Sequence, residues 1–237
     1  MLPIGIAGKR KFKPNMTIAL ILINIAVFIW ELSVSSQGTT ALMAMFKTYA
    51  LDVCKVGVEP LPNIFLDNLR SMFLHGSMGH LFGNMLFLWV FGRRVEEYFG
   101  SSRYLMFYLV VGSIASLSHI IFGGIVCSLP TQTAIVVGAS GAIAGVMGAF
   151  LFLYPGARVD AIIGFFRPLF WRAKVPAFLF LIYWFVMDFL QGIGWIASFG
   201  VAHWAHIGGF VGGLAIAFIA TLFVPAPAQD PFEYLDD

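Results

Sequence analysis

Apolar residues run almost without interruption through six stretches of the chain, at about 16 to 32, 79 to 98, 102 to 124, 134 to 154, 175 to 191 and 201 to 223. Each approaches the roughly 20 residues a helix needs to cross the hydrocarbon core of a bilayer. The pattern predicts an all-α polytopic membrane protein with six transmembrane helices. The first run follows Lys9, Arg10, Lys11 and Lys13 as in a signal peptide. No small-x-small cleavage site follows Trp30 and Glu31, so it is expected to stay as a helix. The connection from about 33 to 78 is too long for a turn, and its apolar patches, Ala41 to Phe46 and Ile64 to Phe65, predict short helices at the membrane surface.

Composition agrees with this reading. The 237 residues are 59% hydrophobic and only 11% charged, against roughly 25% charged in soluble domains. That excludes a basic nucleic-acid-binding domain, and no aqueous fold could hide so much apolar surface. The few charges orient the chain. With the amino terminus inside, Lys9, Arg10, Lys11, Lys13, Arg93, Arg94, Arg103, Arg158, Arg167, Arg172 and Lys174 all fall on the inner side. Only Lys47, Lys55 and Arg70 of the 14 basic residues then lie outside, as the positive-inside rule requires. The expected organisation is a basic cytoplasmic amino terminus over residues 1–15, a membrane domain over 16–223 and an acidic cytoplasmic tail over 224–237. A short amino terminus without a transit peptide suggests a bacterial-type plasma membrane. Cys54 and Cys127 both fall on the outer side, where a disulfide and two independent thiols are both open readings.

Polar side chains within the spans are expensive and carry a functional hypothesis. Span two brings in His80 and Asn84, span four Ser140, and span six His203 and His206, all from the outer end. At 1.5 Å per residue, Asn84, Ser140 and His206 lie roughly 7 to 10 Å below the outer boundary. Each has a structural reading when taken singly: serine bonding back to its own helix, histidine at an interface, asparagine as interhelical glue. Their common depth weakens all three together. Gly138, Gly141, Gly145 and Gly148 follow helical spacing on span four, and Gly209 and Gly213 follow His206 on span six. Small-residue faces let membrane helices approach closely, which would bring Ser140 to His206.

A hydroxyl needs an adjacent base to act as a nucleophile, and neutral imidazole suits that task. His80 and Asn84, four residues apart on one helical face, can donate to a developing oxyanion. Asp188 is the acidic residue near an outer helix end, and a Ser-His dyad without it is the simpler reading. No metal or nucleotide cofactor is expected. His75, His80, His203 and His206 have no Cys or carboxylate neighbours at ligand spacing, and no phosphate-binding G-x-x-x-x-G-K-[ST] occurs.

These residues resemble the rhomboid family of intramembrane serine proteases. Gly138-Ala139-Ser140-Gly141 is similar to its G-x-S-G motif, Ala205-His206 with Gly209 and Gly213 to its A-H-x-x-G-x-x-x-G motif, and His80 to Asn84 to its H-x-x-x-N. Phe73-Leu74-His75, Gly92, Glu96 and Gly100 add to the resemblance, which runs from about Arg70 to Gly213. It implies a six-span bundle that cleaves transmembrane protein substrates near their outer ends within the lipid bilayer. It further implies Ser140 as nucleophile, His206 rather than His203 as base, and His80 with Asn84 as oxyanion donors. Two positions depart from the pattern. Leu69 stands where a tryptophan often precedes the arginine, and Ala144 stands where members often carry an aromatic ring packed on the imidazole. Ala144→Phe is therefore expected to be tolerated. A channel or transporter would also explain buried His and Asn, and a client-binding relative without activity would lack the Ser or the His.

The charge bias gives a direct test. Reporters fused after Val95 or Arg167 should be cytoplasmic and one near Gly57 external, and the reverse pattern would overturn the common-depth argument.

Overall fold

In a computed structural model of the protein, the described residues are 1–6, 13–125, 127–128, 133–163, 171–197 and 200–226. They are mostly helical. Strand β1 (Leu2–Ile6) precedes helices α1 (Asn15–Ser35) and α2 (Thr39–Tyr49), strand β2 (Leu51–Asp52) and helix α3 (Leu61–Ser71). Helix α4 (Met78–Phe87), a π-helical segment (Leu88–Gly92) and α5 (Arg93–Phe99) then run on without a break. After them come α6 (Ser101–Phe122), β3 (Ile135–Val136), α7 (Ser140–Leu153), β4 (Arg158–Ile163), β5 (Trp171–Pro176), α8 (Ala177–Gly192) and α9 (His203–Thr221).

Every apolar run contains a helix. Among the described residues, α1, α6 and α9 are long and apolar enough to cross a membrane, whereas α7 and α8 are apolar but shorter. Local chemistry sets the breaks. Gly100, at φ +74, turns the chain between α5 and α6 in a conformation that side chains with a Cβ avoid. The bare amino terminus of α1 has no side-chain cap of its own. Glu96 of α5 supplies one, accepting from the backbone N–H groups of Met16 at 2.8 Å and Thr17 at 2.7 Å.

The all-α expectation needs correcting, because among the described residues five short strands form two sheets. Strands β1, β4 and β5 pair antiparallel in that order, with Val159 opposite Val175 and Ala161 opposite Ala173. The connection after α7 alternates: Val159 and Ala161 are buried while Arg158 is exposed, which is strand patterning. Charge counting along this stretch hid that alternation. The amino-terminal strand β1 completes the sheet, so this end of the chain is not simply a basic tail. Arg167 and the acidic residues of the carboxy-terminal tail lie outside the described residues.

The second sheet pairs β2 with β3 and forces another correction. Span four was expected to be helical from 134, yet Ile135 and Val136 form a strand and α7 starts at Ser140. Three consecutive β-branched residues followed by a glycine favour that outcome. A disulfide joins Cys54 to Cys127, with Cα atoms 5.5 Å apart, and so ties the connection before α3 to the one before β3. Helices α2 and α3 occupy the long connection where its apolar patches were read.

Helix α7 is the centre of the bundle, with every residue from Gly141 to Phe150 buried. Its closest neighbour is α9. A Cβ on Gly145 would lie 3.1 Å from the Gly209 carbonyl oxygen, and one on Gly209 or Gly213 would overlap the carbonyls of Gly141 or Gly145. Backbone thus packs directly on backbone along this seam. Gly213→Ala should therefore lower the thermal stability of the detergent-solubilised protein by roughly 1 to 3 kcal/mol, as overpacking does. Gly79→Ala on α4, where an added Cβ meets open space, should not lower it. Equal melting temperatures for the two variants would contradict the seam.

Candidate active site

Ser140 is the first residue of α7, and the strand before it fixes its approach. The Ala134 carbonyl accepts from Val53 N–H at 3.0 Å, and Gly138 N–H donates to the Ser71 carbonyl at 2.9 Å. Asp52 accepts from the backbone N–H groups of Cys54 and Ala134 at 3.1 and 2.9 Å. At the start of α7 the seam with α9 then brings the Ser140 Oγ to 2.8 Å from His206 Nε2. That is ordinary hydrogen-bond length.

The other face of the His206 ring is also engaged. Its Nδ1 lies 3.1 Å from Asp188 Oδ1 on α8, and the same oxygen lies 2.8 Å from His203 Nδ1. Trp184, one turn before Asp188, packs on the imidazole with ring centres 5.7 Å apart and an interplanar angle of 38°. An aromatic neighbour therefore exists, but it comes from α8 rather than from the position of Ala144. Ala144 itself is buried within the bundle.

His80 and Asn84 of α4 face Ser140 and His206 across a cavity of about 810 Å³. Gly138, at φ +125, lies between His80 and Ser140. A Cβ there would sit 2.9 Å from His80 Nε2 and 3.6 Å from Ser140 Oγ, so the missing side chain keeps the gap open. Sequence spacing placed Gly138 on the packing face of span four. It precedes the helix instead, because the chain is still extended there.

A second polar chain holds Asn84. His75, in the connection between α3 and α4, donates its backbone N–H to Glu31 of α1 at 3.0 Å. Its ring Nδ1 is 3.3 Å from the Phe73 carbonyl and its Nε2 is 2.9 Å from Asn84 Nδ2. Burial, with His80 alongside, pushes the pKa of His75 down to about 4. The ring is neutral at pH 7, donates from Nδ1 to Phe73, and can only accept at Nε2. Asn84 must then present its NH₂ group, which leaves one N–H for the cavity.

Ser140, His206, His80 and Asn84 thus line one cavity, while His203 turns to Asp188. The route to that convergence differs from the sequence argument, since Ser140 begins a helix rather than lying two turns inside one. Three contributors were not assigned a role from sequence: Trp184, the Glu31 anchor, and His75 as the partner of Asn84. Trp184 and Asp188, four apart on one helical face, were the available signal for the first. The exclusion of a metal on ligand spacing also needs correcting. Among the described residues, Asp188, His203 and His206 each offer a ligand atom within 4.8 Å of the others. Two separate helices bring them together, which spacing along the chain cannot reveal.

Residues 65–223 match the family model described as the Rhomboid domain. The chain belongs to the rhomboid family. Among its relatives, Rhomboid protein 1, mitochondrial, of Saccharomyces cerevisiae is 28% identical over 210 residues, covering 84% of this chain and 51% of that protein. Rhomboid protease GluP of Bacillus subtilis is 32% identical over 149 residues, covering 63% of this chain and 25% of that protein. RHOMBOID-like protein 6, mitochondrial, of Arabidopsis thaliana is 32% identical over 154 residues, or 64% and 42% of the two chains. This rhomboid chain spans about half the length of the yeast relative and less of the other two. Mitochondrial and bacterial relatives stand side by side, so the similarity does not favour the plasma-membrane expectation.

The packing around Ala144 reverses one expectation. With Ala144 buried and Trp184 already on the imidazole, Ala144→Phe should destabilise the fold by roughly 1 to 3 kcal/mol and reduce turnover per folded molecule. Melting in detergent with wild-type turnover retained would show that the ring finds room.

Proposed function

We propose that this rhomboid protein is an intramembrane serine endopeptidase that hydrolyses peptide bonds in or near the transmembrane segments of membrane-protein substrates. The reading is carried by one observation, the 2.8 Å contact between Ser140 Oγ and His206 Nε2 at the wall of the cavity. The proposed topology has six spans: α1, the α4 to α5 helix, α6, α7, α8 and α9. The site residues lie near the starts of α4, α7 and α9, which supports a reaction close to the outer face.

In this mechanism His206 Nε2 removes the Ser140 proton as Oγ attacks the scissile carbonyl. The resulting oxyanion meets donors already in place: the free N–H of Asn84, the His80 ring, and the Ser140 backbone N–H. A first-turn N–H has no partner within its own helix. His206 then passes the proton to the leaving amine, and the acyl-enzyme forms. A water activated by the same imidazole releases the second product and restores Ser140.

A fluorophosphonate probe on the purified chain tests the reading. Wild-type protein should be labelled at Ser140, while Ser140→Ala and His206→Ala should lose both labelling and cleavage of a transmembrane substrate without large changes in melting temperature. Unlabelled wild-type protein would favour a channel or a client-binding role. His203→Ala should cost far less than His206→Ala.

The oxyanion donors separate by degree. Asn84→Ala should lower kcat by about 10² to 10³, the usual loss for one such donor, and retain slow labelling of Ser140. Normal turnover per folded molecule with a lowered melting point would make Asn84 interhelical glue instead.

A further inference from the structure

We infer that Asp188 is a positioning residue for His206, fixing the ring as its Nδ1–H tautomer, and that His203 holds the Asp188 carboxylate in place for that task. The inference rests on the protease reading above and leaves its Ser-His pair intact, adding a residue that orients the base.

A neutral imidazole carries a single ring proton. To accept from Ser140, His206 Nε2 must be bare, so the proton must reside on Nδ1. An ionised carboxylate offers only acceptors. Asp188 Oδ1, 3.1 Å from Nδ1, is bonded in that tautomer and faces a lone pair in the other. The contact therefore selects the form of the ring that can act as a base.

His203 completes the device. It sits one turn before His206 on α9, and its Nδ1 is 2.8 Å from the same Oδ1. The two rings stand 6.2 Å apart at 89°, so their N–H groups converge on one oxygen from different directions. That convergence restrains rotation of the carboxylate. Asp188 is buried, where a carboxylate is costly unless bonded, and both of its ring contacts meet Oδ1, leaving Oδ2 without a partner. Its charge is most useful at one moment, when His206 holds the serine proton and becomes a cation. Among the described residues, His80 on α4 and His119 on α6 are the further titratable groups within electrostatic reach of His206. Neither can supply a negative charge. Trp184 packs on the same ring from the turn before Asp188, so α8 controls both its tilt and its tautomer.

Two measurements on the full chain in detergent test this. The first uses ¹⁵N NMR of histidine-labelled wild-type protein, with the His206 signals assigned from their absence in His206→Gln. Nδ1 is expected to be protonated and Nε2 bare, and any other dominant form overturns the inference without needing a stable variant. The second is Asp188→Asn. Its kcat should fall by roughly 10² to 10⁴, the span of general acid-base contributions. KM and melting temperature should stay nearly constant, with slowed labelling of Ser140 and a changed His206 tautomer signal. Turnover within about threefold of wild type in folded Asp188→Asn would overturn the positioning role. Failure of the protease reading would appear differently, as wild-type protein that neither cleaves nor labels.

Discussion

The backbone contact between α7 and α9 is the constraint on which the site depends. In lipid, apolar side chains gain little by meeting one another, so helices associate through close packing. Glycine at 145, 148, 209 and 213 lets each helix rest on the carbonyls of the other, the Gly141 carbonyl among them. Ser140 immediately precedes the first glycine of the seam, and His206 lies three residues before Gly209. Their 2.8 Å separation is thus an end-point of the seam. An added methyl group at Gly213 would have to push the axes apart. A hydrogen bond tolerates only a few tenths of an ångström, so packing a turn or two away controls whether serine and base can exchange a proton.

The same seam cannot place the other half of the site, which depends on the segments around it. Sheet pairing of β2 with β3, the Cys54 to Cys127 bond and the Gly138 contact with Ser71 fix the chain as it arrives at Ser140. Glu31 holds the connection carrying His75, and His75 in turn orients Asn84. Helix α8 is different in character. One face carries Trp184 and Asp188 to the imidazole, while Leu179, Ile182, Tyr183 and Val186 are exposed on the outside of the bundle, where they suit lipid.

Much of this was legible from the chain, for physical reasons that also explain what was not. Apolar runs located the helices because a span must be apolar along its length, and the motifs around Ser140 and His206 stood out because glycine faces and polar groups are costly in lipid. The extended start of span four was hidden, since Ile135, Val136 and Val137 are as apolar as any helix residue and hydropathy cannot tell strand from helix. The pairing of β4 with β5 was hidden by their basic residues, which fit the orientation of the spans and drew attention from the alternation. Asp188 was noticed but unplaced. Its partners are 15 and 18 residues away on another helix, and only packing brings them together.

The buried acidic groups reveal how the protein separates structure from chemistry. Glu96, Glu31 and Asp188 are all buried, and each sits where at least two hydrogen-bond contacts converge on it, as burial of a carboxyl group demands. Glu96 accepts from two backbone N–H groups and, at 2.6 Å, from the Ser101 hydroxyl. Glu31 uses both oxygens on the His75 backbone N–H. These partners are backbone N–H groups and a hydroxyl, so both groups pin segments of the chain. Asp188 alone of the three faces ring nitrogens, whose protons can move. A carboxylate bonded to a peptide N–H can hold a helix end, but one bonded to an imidazole also sets which nitrogen is free to act as a base.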